Sequence, residues 1–365
     1  MISNFKKILF AIPSLGSGGA ERVICTISNE LINRGYDVSV LLVGNSRIHY
    51  RLSEEVKRIS LECETKYGKL NTIARYWNRI RDIRAVLKES SADVVVSFMS
   101  ENNTDVCFAA MGLKIPVIVS ERNDPAIDPR GKVKQFLRKI SYTRANGFVF
   151  QTPDAQAYFN KNIQNISCII PNPLTAEIPE PYIGTRDKRI VTVGRLHKQK
   201  NIPLLIDTFA DFVLEYPEYI LEIYGEGALE ESLKQRVNAK GLSERVIFKG
   251  FCKNVHEQIR SAAFFVMTSD FEGMPNALVE AMSMGMPCIS TDCRCGGPRM
   301  LIKSGENGLL VPVRNSGALL CAMKTLAADP QLAERLGKQA ENLKKQVDTE
   351  TVVEQWLAYI GQCLR

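Results

Sequence analysis

Two glutamates eight positions apart form the most specific chemical pattern in the chain. Glu272 follows a short apolar run that predicts a strand, and Glu280 falls on the helix predicted after it. Carboxylates accept hydrogen bonds from hydroxyl groups, so this pair suits a polyol such as a sugar or a ribose. An ordinary helix-start acid with a surface glutamate is the alternative. The small, apolar residues after Glu280 argue against it.

The backbone between these glutamates is also suited to binding. Gly273 and Met274 present amides just before the helix, Pro275 is predicted as its first residue, and Asn276 follows. The amide groups at a helix start carry partial positive charge and favour an anion or an electron-rich oxygen. We therefore expect this turn to contribute backbone contacts to the same ligand.

A basic loop follows a predicted strand earlier in the second half. Gly194 and Arg195 lie at the carboxyl end of that strand, and Lys200 precedes the next helix. Arginine can bind two phosphate oxygens at once, and lysine supplies a point charge. The loop therefore favours a phosphate site, with a solvated basic loop as the alternative.

A glycine-rich turn follows the first predicted strand. Gly16, Gly18 and Gly19 allow close approach of a phosphate or sugar to the start of the next helix. The third glycine of a dinucleotide fingerprint would fall at Glu21, and no P-loop lysine follows. Dinucleotide binding is therefore disfavoured.

Short apolar runs alternate with stretches of helical periodicity along the chain. The runs predict strands at 7–12, 38–43, 93–98, 116–120, 147–151, 189–193, 219–224, 246–249, 264–268 and 288–291. Such alternation is typical of α/β folds with parallel doubly wound sheets. From Ser316 onwards the pattern is helical, with breaks predicted at Gly337 and Asp348.

Four prolines between 171 and 184 predict a linker. We therefore expect a Rossmann-like domain over 1–170, a linker over 171–187 and a second Rossmann-like domain over 188–345. A terminal helix over 346–365 is expected to pack back on the first domain. The two parallel sheets are expected to face each other across a cleft.

Composition excludes several classes of protein. The chain has 365 residues, of which 45% are hydrophobic and 24% charged, which is ordinary for a globular protein. Ten scattered cysteines and three histidines show no zinc-binding spacing, so neither a metal nor a cofactor is expected. No apolar run is long enough for a spanning helix and no secretory signal is apparent, so a cytoplasmic location is expected.

The net charge of +7 is unevenly distributed. Residues 1–170 contain 24 Lys and Arg against 16 Asp and Glu, and the excess is concentrated in 66–88 and 130–144. This skew predicts an anionic partner. No nucleic-acid-binding motif accompanies the charge, so nucleic acid is not expected.

These motifs together resemble the retaining GT-B glycosyltransferases of glycosyltransferase family 4. Glu272 and Glu280 are similar to the family's paired glutamates, and Gly194, Arg195 and Lys200 to its basic element. The glycine-rich turn, Glu226-Gly227 and Gly305–Leu310 also occur in the family's order. The resemblance extends over nearly the whole chain.

The resemblance implies that the domain over 1–170 binds the acceptor and the domain over 188–345 binds the donor, and it implies a role for each motif. Arg195 and Lys200 would bind the donor diphosphate, and Glu280 the ribose. Glu272 would contact the donor sugar. The remaining implied donor contacts come from Gly18, Gly19, Gly194, Glu226, Gly273, Met274, Pro275 and Asn276. The resemblance also implies transfer without a metal and with retention of anomeric configuration.

One segment departs from the family pattern. Many members carry a histidine after the fourth strand of the first domain, where this chain has Ser120-Glu121-Arg122-Asn123. This version resembles a subgroup that builds bacterial polysaccharides and lipid-linked oligosaccharides. Glu121 or Arg122 is expected to contact donor sugar or acceptor, although Arg122 could instead pair with Asp124.

The expected activity is transfer of a hexose or N-acetylhexosamine from a nucleoside-diphosphate sugar, with UDP favoured, to a lipid-linked saccharide. A sugar-nucleotide epimerase and a non-catalytic sugar-nucleotide-binding subunit are the alternatives. An acceptor on a polyprenyl diphosphate is anionic and membrane-borne. The basic segments, with Tyr76 and Trp77, are therefore expected to bind the inner face of the plasma membrane, or else to form a solvated helix face.

Overall fold

A computed structural model describes residues 5–16, 18–44, 48–174 and 178–365. Ser17 of the glycine-rich turn and residues 175–177 of the predicted linker lie outside the described residues. The chain divides into two compact units. Unit 1 comprises Met1–Pro173 and Val347–Arg365, and unit 2 comprises Leu174–Gln346.

Unit 1 is built on a parallel sheet of seven strands in the order β3-β2-β1-β4-β5-β6-β7. The strands are β1 Lys7–Ile12, β2 Asp37–Leu42, β3 Lys57–Ser60, β4 Val94–Phe98, β5 Val117–Ser120, β6 Gly147–Phe150 and β7 Ser167–Ile169. The central strands are almost continuously apolar, because a parallel sheet is covered by helices on both faces. The chain adds β2 and β3 on one side of β1 and then crosses to add β4 on the other side. This reversal of strand order, between β1 and β4, is the position where such parallel sheets bind ligands.

Along the chain, every helix of unit 1 except the last falls between two of its strands. They are α1 Gly19–Asn33, α2 Cys63–Tyr67, α3 Thr72–Glu89, α4 Ser100–Ala109, α5 Lys132–Ser141, α6 Pro153–Ala157, α7 Lys161–Asn165 and, from the chain terminus, α16 Thr349–Cys363. Helix α4 contacts α3 and α5, whereas α1 contacts α16. Right-handed crossovers place α3, α4 and α5 on one face of the sheet and α1 on the other.

Unit 2 is built on a parallel sheet of six strands in the order β10-β9-β8-β11-β12-β13. The strands are β8 Asp187–Val193, β9 Ile220–Tyr224, β10 Val246–Gly250, β11 Ala262–Met267, β12 Cys288–Thr291 and β13 Leu309–Val311. The helices are α8 Ile202–Phe212, α9 Glu230–Ala239, α10 Val255–Ile259, α11 Asn276–Ser283, α12 Gly297–Leu301, α13 Ser316–Ala328, α14 Pro330–Ala340 and α15 Lys344–Val347. In this sheet the order in which strands are added reverses between β8 and β11.

The α/β class with two parallel sheets is confirmed, and every strand predicted from an apolar run is present. The strands that the sequence did not predict are short ones at the sheet edges, β3, β7 and β13. Edge strands are paired on one side only and lack the long apolar run that marks a central strand. Among the described residues, no helix is long and apolar enough to cross a membrane.

One helix break was wrong. Gly337 lies inside α14, and the chain turns instead at Asp329, whose side chain accepts a hydrogen bond from the backbone N–H of Leu332. A Cβ on Gly337 would lie 2.3 Å from the carbonyl oxygen of Gly285. This glycine therefore allows two segments to approach closely and does not end the helix.

The terminal helix α16 completes the core of unit 1. Val352, Val353, Trp356 and Ile360 recur at helical spacing and are buried. The indole of Trp356 stacks on Phe98 of β4, with ring centroids 5.8 Å apart. The last helix in sequence therefore packs against a central strand of unit 1.

We predict that Trp356→Ala lowers the free energy of unfolding of unit 1 by about 3–5 kcal/mol, because it leaves a cavity against β4. Urea denaturation followed by circular dichroism measures the effect. The control is Leu214→Ala, because Leu214 is 82% exposed. A loss for Trp356→Ala no larger than that of the control would contradict the assigned packing of α16.

Candidate functional site

The reversal point of the unit 2 sheet brings together two loops that are distant in sequence. Strands β8 and β11 pair in parallel, with Val191 opposite Phe265, so their carboxyl ends share one edge of the sheet. The loop after β8 carries Arg195 and Lys200, and the loop after β11 carries Glu272. The pairing of these two strands therefore places a basic loop beside an acidic one.

Lys200 and Glu272 form an ion pair at this edge. The distance from Lys200 Nζ to Glu272 Oε1 is 2.6 Å. Ser269 Oγ donates to the same carboxylate oxygen at 2.7 Å, and Gln199 Nε2 donates to the other at 3.2 Å. Glu272 is buried, and an ion pair out of water depends on such additional hydrogen bonds. The carboxylate is therefore held in a fixed orientation.

The loop that carries Lys200 is fixed to the β11 side by polar contacts. Thr268 Oγ1 donates to the carbonyl oxygens of Lys200 and Asn201, at 3.0 and 3.1 Å. The side-chain amide of Asn201 donates to Asp270, whose backbone N–H donates to the carbonyl oxygen of Gln199. Asn201 has a φ of 46°, a left-handed conformation that asparagine tolerates better than most residues. Lys200 is therefore supported on both flanks.

Arg195 differs from Lys200. Its side chain is exposed and makes no hydrogen bond or ion pair with any residue that the structure describes. A guanidinium group has five N–H donors and keeps its charge. Arg195 is therefore available to an anion at the edge where Lys200 is already engaged.

Glycines allow the β8 and β9 ends to approach each other. Gly225 has a φ of 127°, and a Cβ there would lie 2.1 Å from the carbonyl oxygen of Gly194. A Cβ on Gly194 would itself lie 3.1 Å from Lys200 Cε. Next to them, the Glu226 carboxylate accepts from the backbone N–H of Phe251 at 3.3 Å. Side chains larger than hydrogen at these glycines would displace the basic loop.

The turn over 273–276 is shaped by a second close approach. A Cβ on Gly297 would lie 1.7 Å from the carbonyl oxygen of Gly273. Met274 is buried, and Pro275 is extended, with φ −80° and ψ 104°. Helix α11 therefore begins at Asn276, and the expectation that Pro275 is its first residue is corrected by one position.

Glu280 lies in α11 and is buried. Its Oε2 is 3.0 Å from Nε2 of His256, which belongs to α10. Since an ionised carboxylate only accepts, the imidazole donates this bond. Sequence reasoning missed His256 because 24 residues separate it from Glu280. No local spacing indicates the pairing.

In unit 1, the glycine-rich turn lies at the carboxyl end of β1, next to the reversal point. Helix α1 begins at Gly19, and Gly18 precedes it in an extended conformation. A Cβ on Gly18 would lie 2.1 Å from a carboxylate oxygen of Glu21. Glycine at this position therefore leaves room for the Glu21 side chain at the start of the helix.

Glu121 is enclosed in unit 1. The Tyr142 hydroxyl donates to its Oε1, and Arg138 Nη1 lies 3.9 Å from the same oxygen. Burial raises the pKa of Glu121 to about 7, against the opposing effect of Arg138. These contacts indicate that Glu121 supports the loop after β5.

Arg122 stacks on aromatic rings at the same sheet edge. Its guanidinium carbon lies 4.2 Å from the ring centroid of Phe98 and 5.6 Å from that of Trp356. Nη1 donates to Asn172 Oδ1 at 2.8 Å, which also accepts from Gln151 Nε2 at 2.6 Å. Burial lowers the pKa of Arg122 to about 9, so the group stays charged at neutral pH. The contact with Asn172 joins the loop after β5 to the segment after β7.

Two N–H groups of Arg122, on Nε and Nη2, are buried without a hydrogen-bond partner among the described residues. A buried donor without a partner is costly, at about 1–3 kcal/mol. Arg122 therefore has spare hydrogen-bond donors.

Among the described residues, no group of three or more His, Cys, Asp or Glu side chains is placed to hold a metal ion.

Comparison with known proteins identifies the family. The family profile described as "Glycosyl transferases group 1" matches residues 175–343. A second profile, "Glycosyl transferase 4-like domain", matches residues 18–172. The chain belongs to the group 1 glycosyltransferases. The resemblance to this glycosyltransferase family is thereby confirmed, and the protein is an enzyme of that class.

Two relatives of this glycosyltransferase come from Campylobacter jejuni. The first is "GalNAc-alpha-(1->4)-GalNAc-alpha-(1->3)-diNAcBac-PP-undecaprenol alpha-1,4-N-acetyl-D-galactosaminyltransferase", 29% identical, with 98% of both chains covered. The second is "N-acetylgalactosamine-N,N'-diacetylbacillosaminyl-diphospho-undecaprenol 4-alpha-N-acetylgalactosaminyltransferase", 28% identical over 97% of this chain and 99% of that one. Both names describe bacterial enzymes that add N-acetylgalactosamine to a glycan. This chain is likewise a glycosyltransferase of bacterial glycan biosynthesis.

Solved structures show the same fold. Anabaena HepE in complex with UDP and glucose has a TM-score of 0.83 at 18% identity, with 97% of this chain and 99% of that chain covered. Sucrose-phosphate synthase from Thermosynechococcus elongatus has a TM-score of 0.84 at 17% identity, with 98% of both chains covered. The two Rossmann-like units of the glycosyltransferase therefore have the GT-B fold.

The raised pKa of Glu121 predicts a pH dependence of stability. In an unfolded chain the pKa of glutamate is about 4.3, so between about pH 4 and pH 7 the folded state binds a proton that the unfolded state releases. This group therefore destabilises the fold as pH rises through that window. Glu121→Gln removes the titration and keeps an acceptor for Tyr142. The variant should lose less unfolding free energy across the window, by up to about 3 kcal/mol.

Urea denaturation at several pH values measures this difference. Asp105, whose pKa burial also raises to about 7, is present in both proteins and cancels. The exposed Glu55→Gln serves as the matched control. Equal pH slopes for wild type and Glu121→Gln would show that folding does not raise the pKa of Glu121.

Proposed function

We propose that this glycosyltransferase transfers a hexose or N-acetylhexosamine from a nucleoside-diphosphate sugar to a lipid-linked saccharide. UDP is the favoured nucleotide, because HepE was solved with UDP and glucose. A lipid-linked acceptor is favoured because the names of both Campylobacter relatives contain a diphospho-undecaprenol or PP-undecaprenol saccharide. The observation that carries the proposal is the Lys200–Glu272 pair beside the unengaged Arg195.

The donor diphosphate would bind Arg195 and Lys200. Arg195 has all its side-chain donors available among the described residues, and Lys200 is held by Glu272 within reach of the same loop. Negative charge develops on the diphosphate as the glycosidic bond breaks. Fixed cations stabilise such charge without reorganising during the reaction. This role requires only residues of the chain.

The donor sugar would contact Glu272 and the turn over 273–276. The carboxylate is oriented by Ser269 and Gln199 before any ligand binds. Gly273, Met274, Pro275 and Asn276 bring backbone groups to the start of α11. Hydrogen bonds from sugar hydroxyls to a pre-oriented acceptor lose less entropy than bonds to a mobile one.

The ribose would bind Glu280, and Glu226 and Gly194, in the loops after β9 and β8, would make further contacts with the donor. His256 then acts as a positioning residue, because its Nε2 fixes one carboxylate oxygen of Glu280. The transferred sugar is expected to keep its anomeric configuration, as the family resemblance implies. NMR of the product anomeric proton tests this expectation directly.

Unit 1 would supply the acceptor side. Two buried nitrogens of Arg122, Nε and Nη2, have no hydrogen-bond partner among the described residues. Gly18 and Gly19, at the reversal point of the unit 1 sheet, would instead contact the donor. We assign Arg122 a direct contact with sugar or phosphate and Glu121 a supporting role. An acceptor carried by a lipid would bring the enzyme to the inner face of the plasma membrane.

Two variants that replace a charged side chain by neutral glutamine test the donor site. Lys200→Gln should lower kcat/KM by about 10²–10³ and weaken UDP binding, because it removes a cation from the diphosphate. Glu272→Gln should lower kcat to a similar degree, because the sugar contact is lost, and should weaken UDP binding less than Lys200→Gln does, because the cation itself remains. Steady-state kinetics and calorimetric titration with UDP measure the two effects.

The control for these variants is Lys338→Gln, which removes an exposed lysine of α14. Melting temperatures check that each variant folds, since breaking a buried pair also costs stability. The assignment fails if folded Lys200→Gln retains wild-type rate and UDP affinity.

A panel of nucleotide sugars without acceptor tests the reaction class. Slow release of free sugar and UDP is expected, and the preferred donor should also raise the melting temperature most, because ligands that bind the native state stabilise it. Formation of an epimer with the nucleotide intact would instead indicate the epimerase alternative. Absence of both reactions, together with tight nucleotide-sugar binding, would favour a non-catalytic subunit.

A further inference from the structure

Two helices of unit 1 expose large apolar side chains. Ile73 and Trp77 of α3, with Val133, Phe136 and Ile140 of α5, are between 40% and 73% exposed. Within each helix the spacings of three, four and seven place these residues on one side. We call this set of five residues the α3–α5 face. Rows of exposed large apolar side chains on two helices of one layer are typical of an interaction site.

The two helices are held in one layer through α4. Arg79 of α3 pairs with the buried Asp105 of α4 at 2.8 Å. Lys134 of α5 pairs with Glu101 of α4 at 2.7 Å. Both links join first or second turns of the helices, so Ile73, Trp77, Val133 and Phe136, which also lie in these turns, are near the end of the layer where α4 leaves the carboxyl edge of β4. That edge carries the ligand-binding loops of unit 1.

Many of the basic residues around the face have structural partners. Lys66 pairs with Asp82 at 2.7 Å. Arg84, Arg138 and Arg144 donate to backbone carbonyl oxygens. These side chains stabilise loops and helix ends of unit 1. The sequence count of basic residues therefore overstates the charge available to a partner.

Several cations of the two segments make no ion pair with any other residue in the described ranges, among them Lys69, Arg75, Lys132 and Lys139. Lys132 lies four positions before Phe136 and Lys139 three positions after it, so both share its side of α5. Lys69 lies just before α3, and Arg75 lies in its first turn, which also carries Ile73. Apolar side chains surrounded by unpaired lysine and arginine match the border between lipid headgroups and acyl chains.

We infer that the α3–α5 face docks the enzyme on an anionic lipid bilayer, with Trp77 and Phe136 inserted among the headgroups. The inference rests on the proposed function for its purpose, which is access to a lipid-linked acceptor. The geometry supports a bilayer over a second copy of the chain. In a symmetric dimer this face would meet itself and bring like charges together.

Sedimentation of the full-length protein with phosphatidylcholine vesicles, with and without phosphatidylglycerol, tests the inference. Wild type should bind only the anionic vesicles at low salt and lose binding at high salt, because salt screens the lysines and arginines. Trp77→Ser with Phe136→Ser should reduce binding about tenfold or more, because both insertions are lost. Arg75→Gln with Lys132→Gln should also weaken binding and flatten the salt dependence.

The matched control is Leu214→Ser with Lys338→Gln, which removes an exposed apolar residue and an exposed lysine from unit 2. Arg79 is unsuitable for substitution, because its loss leaves buried Asp105 unpaired. Failure of wild type to bind anionic vesicles, or equal binding by the face variants, would overturn the inference. So would a change from dimer to monomer in the Trp77 and Phe136 variant, since the face would then join two copies.

Transfer to a short-chain, water-soluble acceptor separates this inference from the proposed function. The face variants should keep wild-type rates with that acceptor and lose rate only with a vesicle-bound acceptor. A rate lost equally with both acceptors would place the face in catalysis and overturn docking. Vesicle binding by a wild type that transfers no sugar would contradict the proposed function alone.

Discussion

The ion pair between Lys200 and Glu272 depends on the order of strands in the unit 2 sheet. Its partners lie 72 positions apart and meet only because β8 and β11 are neighbours at the point where the sheet reverses. A buried ion pair is stable only when its other lone pairs are satisfied, and Ser269 and Gln199 provide those hydrogen bonds. The surrounding glycines then keep the loops close enough for the pair to form. The geometry of this candidate site therefore follows from strand pairing.

Charge in unit 1 is divided between structure and surface. Arg79, Arg84, Arg138 and Arg144 each bind a buried carboxylate or carbonyl oxygens inside the unit. Arginine suits this role because its planar fork makes several hydrogen bonds and keeps its charge. The unpaired cations near the exposed apolar residues are mainly lysines, which remain hydrated on flexible stems. The basic segments 66–88 and 130–144 therefore contain both arginines that stabilise the fold and cations that remain on the surface.

Glycines of this protein illustrate a limit of local pattern. Glycine often ends a helix, yet Gly337 lies inside α14, against the backbone of Gly285. Gly297 has the same relation to Gly273, and Gly225 to Gly194. A glycine required for a close approach cannot be distinguished from a helix terminator by its sequence neighbours, because the approaching segment is distant along the chain.

The sequence by itself determined the α/β class, the central strands and the segments that carry Arg195, Lys200, Glu272 and Glu280. These features depend on apolar runs and local spacing, which act over a few residues. Only the tertiary structure decided that His256 contacts Glu280, that Arg122 stacks on Phe98 with Asn172 as its partner, and that Trp356 of α16 stacks on Phe98. Those contacts join distant segments, and the order of strands and the packing of helices selects them from many chemically equivalent partners.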